Sequence, residues 1–555
     1  MYNILIGGAA GLGVDTMSAI LEKLLKRSGY QVFSTKDVMS RIRGGHNFTL
    51  MRFDSKPITS HSFILDGIVA LDQKTVEIHQ KELRTNGFIL CDSHLPVEGK
   101  NVIKLDINDL AKKLGNSKII GSILIGAILK LFGEKLDHTE NIFAAFVKQE
   151  DLKVNLAAVQ TGYDLVERKY THREGTYKEW IIVNGNQAIA LGAIAAGVKF
   201  YSAYPMSPST GIMEYLAGKM TEARIVVEQA EDEISAINMA IGASFAGAKA
   251  MTGTSGGGFC LMVEGLGLSG MAEVPVVIVN VQRPGPSTGL PTRTEQGDLK
   301  FVISASHGEF PRMVIAIKNH ADAYYQTIRA FAMAEKYQIP VILLSDQYLA
   351  DSSAVVEPFT VDVINEYPVF ETQQNDEYLR FRFTVDGISP RLFPGITNGL
   401  VISESDEHDE QGLISENAEI RVQMMRKRLQ KLENLRLELN EPEFLGDDSF
   451  DTLLLGWGST YGPIKEAISI LNSKSDKRFG ALVFGDVYPL PVKHLIEKSQ
   501  KAKNIINVEQ NATGQFAGLV REKTGIICTS SILKYDGRQI SGEQIAEQVL
   551  REGDK

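Results

Sequence analysis

Residues 199–345 constrain the fold most: short apolar runs alternate with helical patterns, and each run feeds a loop of small, hydroxyl or charged residues. The runs are Lys199–Ala203, Ile225–Val227, Ala250–Thr252, Val276–Val281, Met313–Ile317 and Val341–Ser345. Helical patterns start near Asn186, Thr210, Asp232, Gly258 and Ala321. Continuous apolar strands separated by helices predict a parallel sheet covered on both faces. In such a sheet ligands gather at the carboxyl ends of the strands. The loops expected there carry the densest polar chemistry of the chain. They are Tyr204-Pro205-Met206-Ser207-Pro208-Ser209-Thr210, Glu228-Gln229-Ala230-Glu231-Asp232-Glu233, Thr252-Gly253-Thr254-Ser255-Gly256-Gly257-Gly258, and Gln282-Arg283-Pro284-Gly285-Pro286-Ser287-Thr288-Gly289.

In the first loop, Pro205 and Pro208 fix φ and disfavour helix. The hydroxyls of Ser207, Ser209 and Thr210 crowd a helix start, where free N–H groups and the helix dipole favour an anion. Two readings stand: an anion site, or a capped helix with Ser209 or Thr210 as N-cap. Glu231 and Glu233 precede a small-residue helix, Ile234–Ala246. They read either as surface charges complementing the dipole or as a carboxyl turned into a closed interface. There, desolvation raises its pKa and lets it share a proton with a cofactor nitrogen.

Residues 1–178 open with a strand, Tyr2–Ile6, a glycine turn, Gly7–Gly13, and a helical pattern, Val14–Arg27. That order suggests a phosphate- or anion-binding turn. The spacing is G-x-x-G-x-G, and the next strand, Gln31–Phe33, ends in Ser34-Thr35-Lys36 with no acidic residue for a ribose, which argues against a nicotinamide dinucleotide. In Ser40-Arg41-Ile42-Arg43-Gly44-Gly45-His46-Asn47, Arg41 and Arg43 read as phosphate contacts or as solvated residues of a tight turn. Phe88–Cys91 and Val102–Lys104 read as later parallel strands and Ile119–Phe132 as a buried helix, giving a doubly wound domain.

Residues 371–445 read as a linker. Its cluster Asp406-Glu407-His408-Asp409-Glu410 is expected to be a solvated loop rather than a metal site, because consecutive polar residues cannot all face one ion. Ala418–Leu439 reads as a long charged helix. In residues 446–555, strands at Thr452–Leu455, Ala481–Phe484 and Asn504–Val508 predict a third α/β domain.

Composition sets bounds on function. The 555-residue length suits roughly two to four domains. A net charge of −10 argues against nucleic acid as the main partner. The three cysteines, Cys91, Cys260 and Cys528, form no Cys-x-x-Cys pair, so neither a disulfide framework nor a complete cysteine-ligated cluster is expected. No basic region followed by an apolar run opens the chain, and no run reaches the ~18–20 residues of a membrane span. A cytoplasmic location is expected.

The four loops together resemble the 2-oxoacid:ferredoxin oxidoreductases. Tyr204–Thr210 is similar to that family's Tyr-Pro-Ile-Thr-Pro-Ser-Ser/Thr signature, with Met206 in place of Ile and Ser207 in place of Thr. Glu228–Ala240, Thr252–Phe259 and Arg283–Thr292 resemble the segments that follow it. Arg41–Phe48 resembles the γ subunit, and Asn507–Gln515 a further family loop. The chain therefore looks like an α subunit with a fused γ domain, the 2-oxoglutarate type.

The resemblance implies an α/β architecture of several doubly wound parallel-sheet domains. These are a γ-like domain (1–178), a thiamine diphosphate pyrimidine-binding domain (179–370), the linker with its charged helix (371–445) and a transketolase C-terminal-like domain (446–555). It implies thiamine diphosphate and Mg²⁺, bound mostly by a β partner that also carries a [4Fe-4S] cluster. Coenzyme A is the cosubstrate, ferredoxin the electron acceptor and an (αβ)₂ heterotetramer the assembly. No Gly-Asp-Gly with a metal-binding Asn and no cysteine set occurs here, so the chain alone is expected to be inactive.

By the same resemblance Glu233, or alternatively Glu231, contacts the aminopyrimidine. Tyr204, Pro205 and Gly256 line the cofactor. Ser207, Ser209, Thr210 and Arg283 receive the substrate carboxylate, and Arg41 and Arg43 are candidate anion or coenzyme A contacts. Pyruvate, branched-chain or aryl 2-oxoacids are alternative substrates. A non-enzymatic nucleotide-binding or scaffold subunit is the alternative of another class.

Overall fold

The structure is a computed structural model that describes residues 1–39, 44–171, 173–360, 378–395, 400–475 and 477–553. It divides into two units, Met1–Asn184 with Asp351–Pro358, and Gly185–Ala350 with Phe359–Lys555.

The first unit is built on an eight-stranded sheet in the order Val102–Leu105, Leu83–Asp92, Leu65–Ala70, Tyr2–Ala10, Gly44–Asp54, Gln31–Asp37, Ser353–Val356, Ile181–Asn184. Ile4, Leu5 and Ile6 are fully buried at its centre. The four strands from Val102–Leu105 to Tyr2–Ala10 are parallel, as the apolar runs predict. The other half is antiparallel. Gln31–Asp37 does not follow Tyr2–Ala10 as a parallel neighbour but forms a hairpin with Gly44–Asp54, which itself pairs antiparallel with Tyr2–Ala10. The dinucleotide arrangement is thereby absent: Gly44–Asp54 lies between the two strands, so the strand whose tip would face a ribose is not the neighbour of the strand that feeds the glycine turn. Ile120–Phe132 is the buried helix expected. It crosses Gln149–Asp164 so closely that a Cβ on Gly126 would lie 1.9 Å from the Val159 carbonyl oxygen. Only glycine permits that approach.

The second unit holds two sheets. The seven-stranded sheet runs Asp486–Tyr488, Met313–Ala316, Pro340–Asp346, Val276–Gln282, Ala250–Thr254, Phe200–Ala203, Val226–Gln229. All its pairings are parallel except the first, where the short strand Asp486–Tyr488 caps the edge. Helices Gly185–Ala195, Thr210–Gly218, Glu233–Phe245, Gly256–Met271 and His320–Tyr337 start within two residues of the expected positions. The five-stranded sheet orders Glu443–Gly446, Phe479–Phe484, Thr452–Trp457, Asn504–Glu509, Ser530–Leu533. Its Leu453, Leu455 and Trp457 share one apolar core with Val314, Ala316 and Ile342 of the larger sheet. The fold class is thus α/β with several mostly parallel sheets.

Residues 400–435 correct the expectation of a solvated acidic loop. His408 is fully buried, with its ring 3.9 Å from that of Phe381. Glu407 accepts a forked hydrogen bond from Arg428, at 3.0 and 2.7 Å. The helix Ala418–Leu435 carries Lys427, Arg428 and Lys431 into the interior. Lys427 Nζ donates to both carboxylate oxygens of buried Glu273, at 2.6 and 2.8 Å, and Lys431 pairs with the same group. Burial pushes the Glu273 carboxyl up, but the two lysines and Arg380 outweigh it and hold the group well below the usual carboxylate range. Charged helical spacing looks like a solvated face in sequence. Here the partner lies 154 residues away.

Candidate active site

Sheet order brings the four polar loops together. Val276–Gln282, Ala250–Thr254, Phe200–Ala203 and Val226–Gln229 are consecutive parallel neighbours, so the segments after them emerge side by side at one edge.

The Tyr204–Ser209 loop leaves Tyr204 and Ser207 exposed and buries Pro208 and Ser209. Asn186 Nδ2 donates to the Pro208 carbonyl at 2.9 Å. The Ser209 N–H and hydroxyl both donate to the Met206 carbonyl, at 2.8 and 2.7 Å. Ser209 occupies the N-cap position of Thr210–Gly218 but makes no side-chain cap. The capping reading is therefore corrected: the Ser209 hydroxyl ties the loop together, and the first-turn N–H groups are not closed by it. Arg283 Nη1 donates to the Ser207 carbonyl at 2.6 Å, joining the fourth loop to the first. Burial lowers the Arg283 pKa, and the charge of Asp298 opposes the shift.

The structure separates the two candidate glutamates. Glu231 is exposed, whereas Glu233 is only 3% exposed. Asp232 caps the helix Glu233–Phe245 by accepting from the Ser235 N–H at 2.7 Å, which turns the next residue inward. Glu233 Oε1 is buried and, among the described residues, has no hydrogen-bond partner. Burial raises the Glu233 pKa above the usual carboxylate value. Its oxygen lies against the glycine helix: a Cβ on Gly258 would come 2.3 Å from Glu233 Oε1 and 2.2 Å from Thr254 Oγ1. A Cβ on Gly256 would come 2.4 Å from an oxygen of Asp298, and one on Gly257 would touch Met206 and the Ser287 carbonyl. Glycines at 256–258 thus let three loops and two acids close on one helical turn. Arg41 and Arg43 lie outside the described residues.

Comparison with known proteins decides the family. Residues 191–427 match the family described as pyruvate flavodoxin/ferredoxin oxidoreductase, thiamine diphosphate-binding, and residues 3–165 match pyruvate ferredoxin/flavodoxin oxidoreductase. A 2-oxoacid:ferredoxin oxidoreductase subunit alpha from a Sulfolobus species is 35% identical, over 99% of this chain and 97% of its own. The 2-oxoglutarate synthase subunit KorA of Archaeoglobus fulgidus is 34% identical over 67% of this chain and 99% of its own. The solved 2-oxoglutarate:ferredoxin oxidoreductase from Magnetococcus marinus, with 2-oxoglutarate, coenzyme A and succinyl-CoA bound, superposes with a TM-score of 0.93, at 30% identity over 99% of both chains. This chain is an α subunit of the 2-oxoacid:ferredoxin oxidoreductase family.

A 2-oxoacid:ferredoxin oxidoreductase works with thiamine diphosphate, and the residues present fit that group. A buried carboxyl with an oxygen that no described residue satisfies is costly alone. It suits a ligand nitrogen that can exchange a proton with it. Sequence reasoning missed two acids at this edge, Glu295 and Asp298, each pushed up to about 6 by burial. Their segment is pinned by the third part of the chain. Gln296 exchanges backbone and side-chain hydrogen bonds with Gln510, at 2.7 and 3.1 Å, and donates from Nε2 to the Trp457 carbonyl at 2.9 Å. The Asn507–Gln515 loop thereby positions the segment that follows Arg283. Its family likeness was the one signal in the sequence.

Proposed function

We propose that this α subunit acts with a β partner in the coenzyme A-dependent oxidative decarboxylation of 2-oxoglutarate to succinyl-CoA, passing electrons to ferredoxin. The observation that carries the reading is the inward Glu233 carboxyl, whose Oε1 has no partner among the described residues at the edge where the four loops meet. The named ligands of the Magnetococcus marinus enzyme favour the 2-oxoglutarate assignment.

In this reading residues 1–178 are the γ-like domain and 179–370 hold the pyrimidine side of the cofactor. Residues 446–555 are the transketolase C-terminal-like domain, and 371–445 join the two through the buried charged helix. The β partner supplies the Mg²⁺–diphosphate site and a [4Fe-4S] cluster, in an (αβ)₂ assembly. Bound thiamine diphosphate supplies a nucleophile for the 2-oxo carbon and a sink for the electrons released with CO₂. Glu233 holds a proton at its buried carboxyl and shares it with the pyrimidine nitrogen. Tyr204, Pro205 and Gly256 shape the wall around that ring. Arg283, half-buried and fixed by the Ser207 carbonyl, presents its remaining N–H groups to the substrate carboxylate. The Ser207 hydroxyl and the first turn at Thr210 add donors. Ser209 contributes through the loop's shape.

The test is anaerobic co-expression with a β chain bearing Gly-Asp-Gly and four cysteines. Coenzyme A-dependent reduction of a viologen dye is then read across 2-oxoglutarate, pyruvate, branched-chain and aryl 2-oxoacids. The highest kcat/KM is expected with 2-oxoglutarate. A preference for another 2-oxoacid overturns the substrate assignment, and no turnover with any of them overturns the activity.

A further inference from the structure

Asp298 has no role in the reading above, yet it occupies a place suited to an anion. Both of its carboxyl oxygens lie against Gly256, within 2.4 and 2.7 Å of where a Cβ would stand. Gly256 opens the 16-residue helix Gly256–Met271, whose Ser255 N-cap makes no side-chain cap. The positive end of that helix therefore faces the chain's own carboxyl group. Asn280 Nδ2 donates to Asp298 Oδ2 at 3.1 Å, and the Asp298 N–H donates to Gln282 Oε1 at 3.0 Å. Side chain and backbone are thus fixed to the strand Val276–Gln282, which ends one residue before Arg283. Asp298 and Arg283 act on each other electrostatically. Among the described residues no direct ion pair joins them, because Arg283 reaches over to the Ser207 carbonyl.

The geometry points to Asp298 as a positioning residue for substrate capture: its carboxylate balances Arg283 before the substrate binds, and it takes up a proton when a 2-oxoacid carboxylate arrives there. The inference rests on the proposed role of Arg283. Two carboxylates cannot share one guanidinium in a poorly solvated cleft at no cost. Asp298 can yield its charge near neutrality: burial raises it to about 6, while the Asn280 hydrogen bond and the Arg283 charge keep it from rising further.

The groups facing it are few. Arg283 lies at the strand end, and Glu295, raised to about 6 by burial and by Asp298, lies on its own segment. The Cys260 thiol on the glycine helix is raised by burial and by Asp298. Glu233 lies against the same helical turn, at Gly258. The sign follows from linkage. A bound anion raises the Asp298 pKa further, so affinity is highest with Asp298 protonated and falls as pH rises through about 6.

The experiment measures kcat and KM for 2-oxoglutarate from pH 5.5 to 7.5 in the αβ complex, for the wild type and for Asp298→Asn and Glu295→Gln. The wild-type KM should rise about tenfold across that window, the equivalent of one pKa unit. Asp298→Asn should give a low, flat KM with kcat changed less than about threefold, and Glu295→Gln should keep the slope. A merely structural Asp298 would leave the pH slope of KM intact. An unchanged slope in Asp298→Asn, or a slope abolished by Glu295→Gln alone, overturns the inference. Should Asp298→Asn fail to fold, the wild type still decides, since a KM independent of pH overturns it too. Absence of turnover with every 2-oxoacid is a distinct result that sinks the proposed function instead.

Discussion

Glu233 and Glu231 stand two positions apart in one sequence, and their surroundings give them opposite fates. Asp232 caps the helix between them, so Glu231 stays in solvent while Glu233 is buried with an oxygen that has no partner among the described residues. A group of the first kind is worth little to catalysis or stability, whereas the second is costly unless a ligand completes it. Glu233→Gln should therefore lower kcat by about 10²–10⁴-fold, the range for a lost acid–base group. Circular dichroism and assembly with the partner should not change. Glu231→Gln should keep the wild-type rate, and a reversed pattern would move the role to Glu231. The pair was legible in the sequence as two readings of one segment, but burial was needed to choose. Asp298 was not legible. An aspartate between Gly297 and Leu299 reads as an ordinary turn residue, and only tertiary approach sets it against Gly256 and beside Arg283.

At the scale of elements, the apolar runs and the glycine, proline and hydroxyl punctuation identified the strands that carry the site. Phe200–Ala203, Ala250–Thr254 and Val276–Gln282 are largely buried on both faces, so their signal is continuous and local. What escaped depends on distant partners. Ser353–Val356 returns to the first sheet to pair with Gln31–Asp37 and Ile181–Asn184. The short strand Asp486–Tyr488 completes the edge of the larger sheet of the second unit. The helix Ala418–Leu435 is the sharpest case, since the sequence reads only as a long charged helix whereas Lys427 and Lys431 lie buried on Glu273. Glu273→Gln leaves Lys427, Lys431 and Arg380 without a buried counter-charge. It should cost about 3–5 kcal/mol, seen as a lower denaturation midpoint. Glu433→Gln, which breaks an exposed pair with Arg436 just past the end of that helix, should shift the midpoint little.

For the whole molecule, the proposed function makes this chain one side of an active site: Glu233 as the acid for the pyrimidine ring, Arg283 for a carboxylate and the glycines at 256–258 to let them close together. None of the helices in the described residues is long and apolar enough to cross a membrane, and no group of three or more His, Cys, Asp or Glu side chains there is placed to hold a metal ion. The central claim is that this half needs another chain. The most direct measurement is 2-oxoglutarate- and coenzyme A-dependent viologen reduction by three anaerobic preparations: this chain alone, the β chain alone and the two together. The account predicts turnover only in the combined preparation, and its loss when the combined preparation carries Glu233→Gln. Turnover by this chain alone, or an undiminished rate with Glu233→Gln, would contradict it.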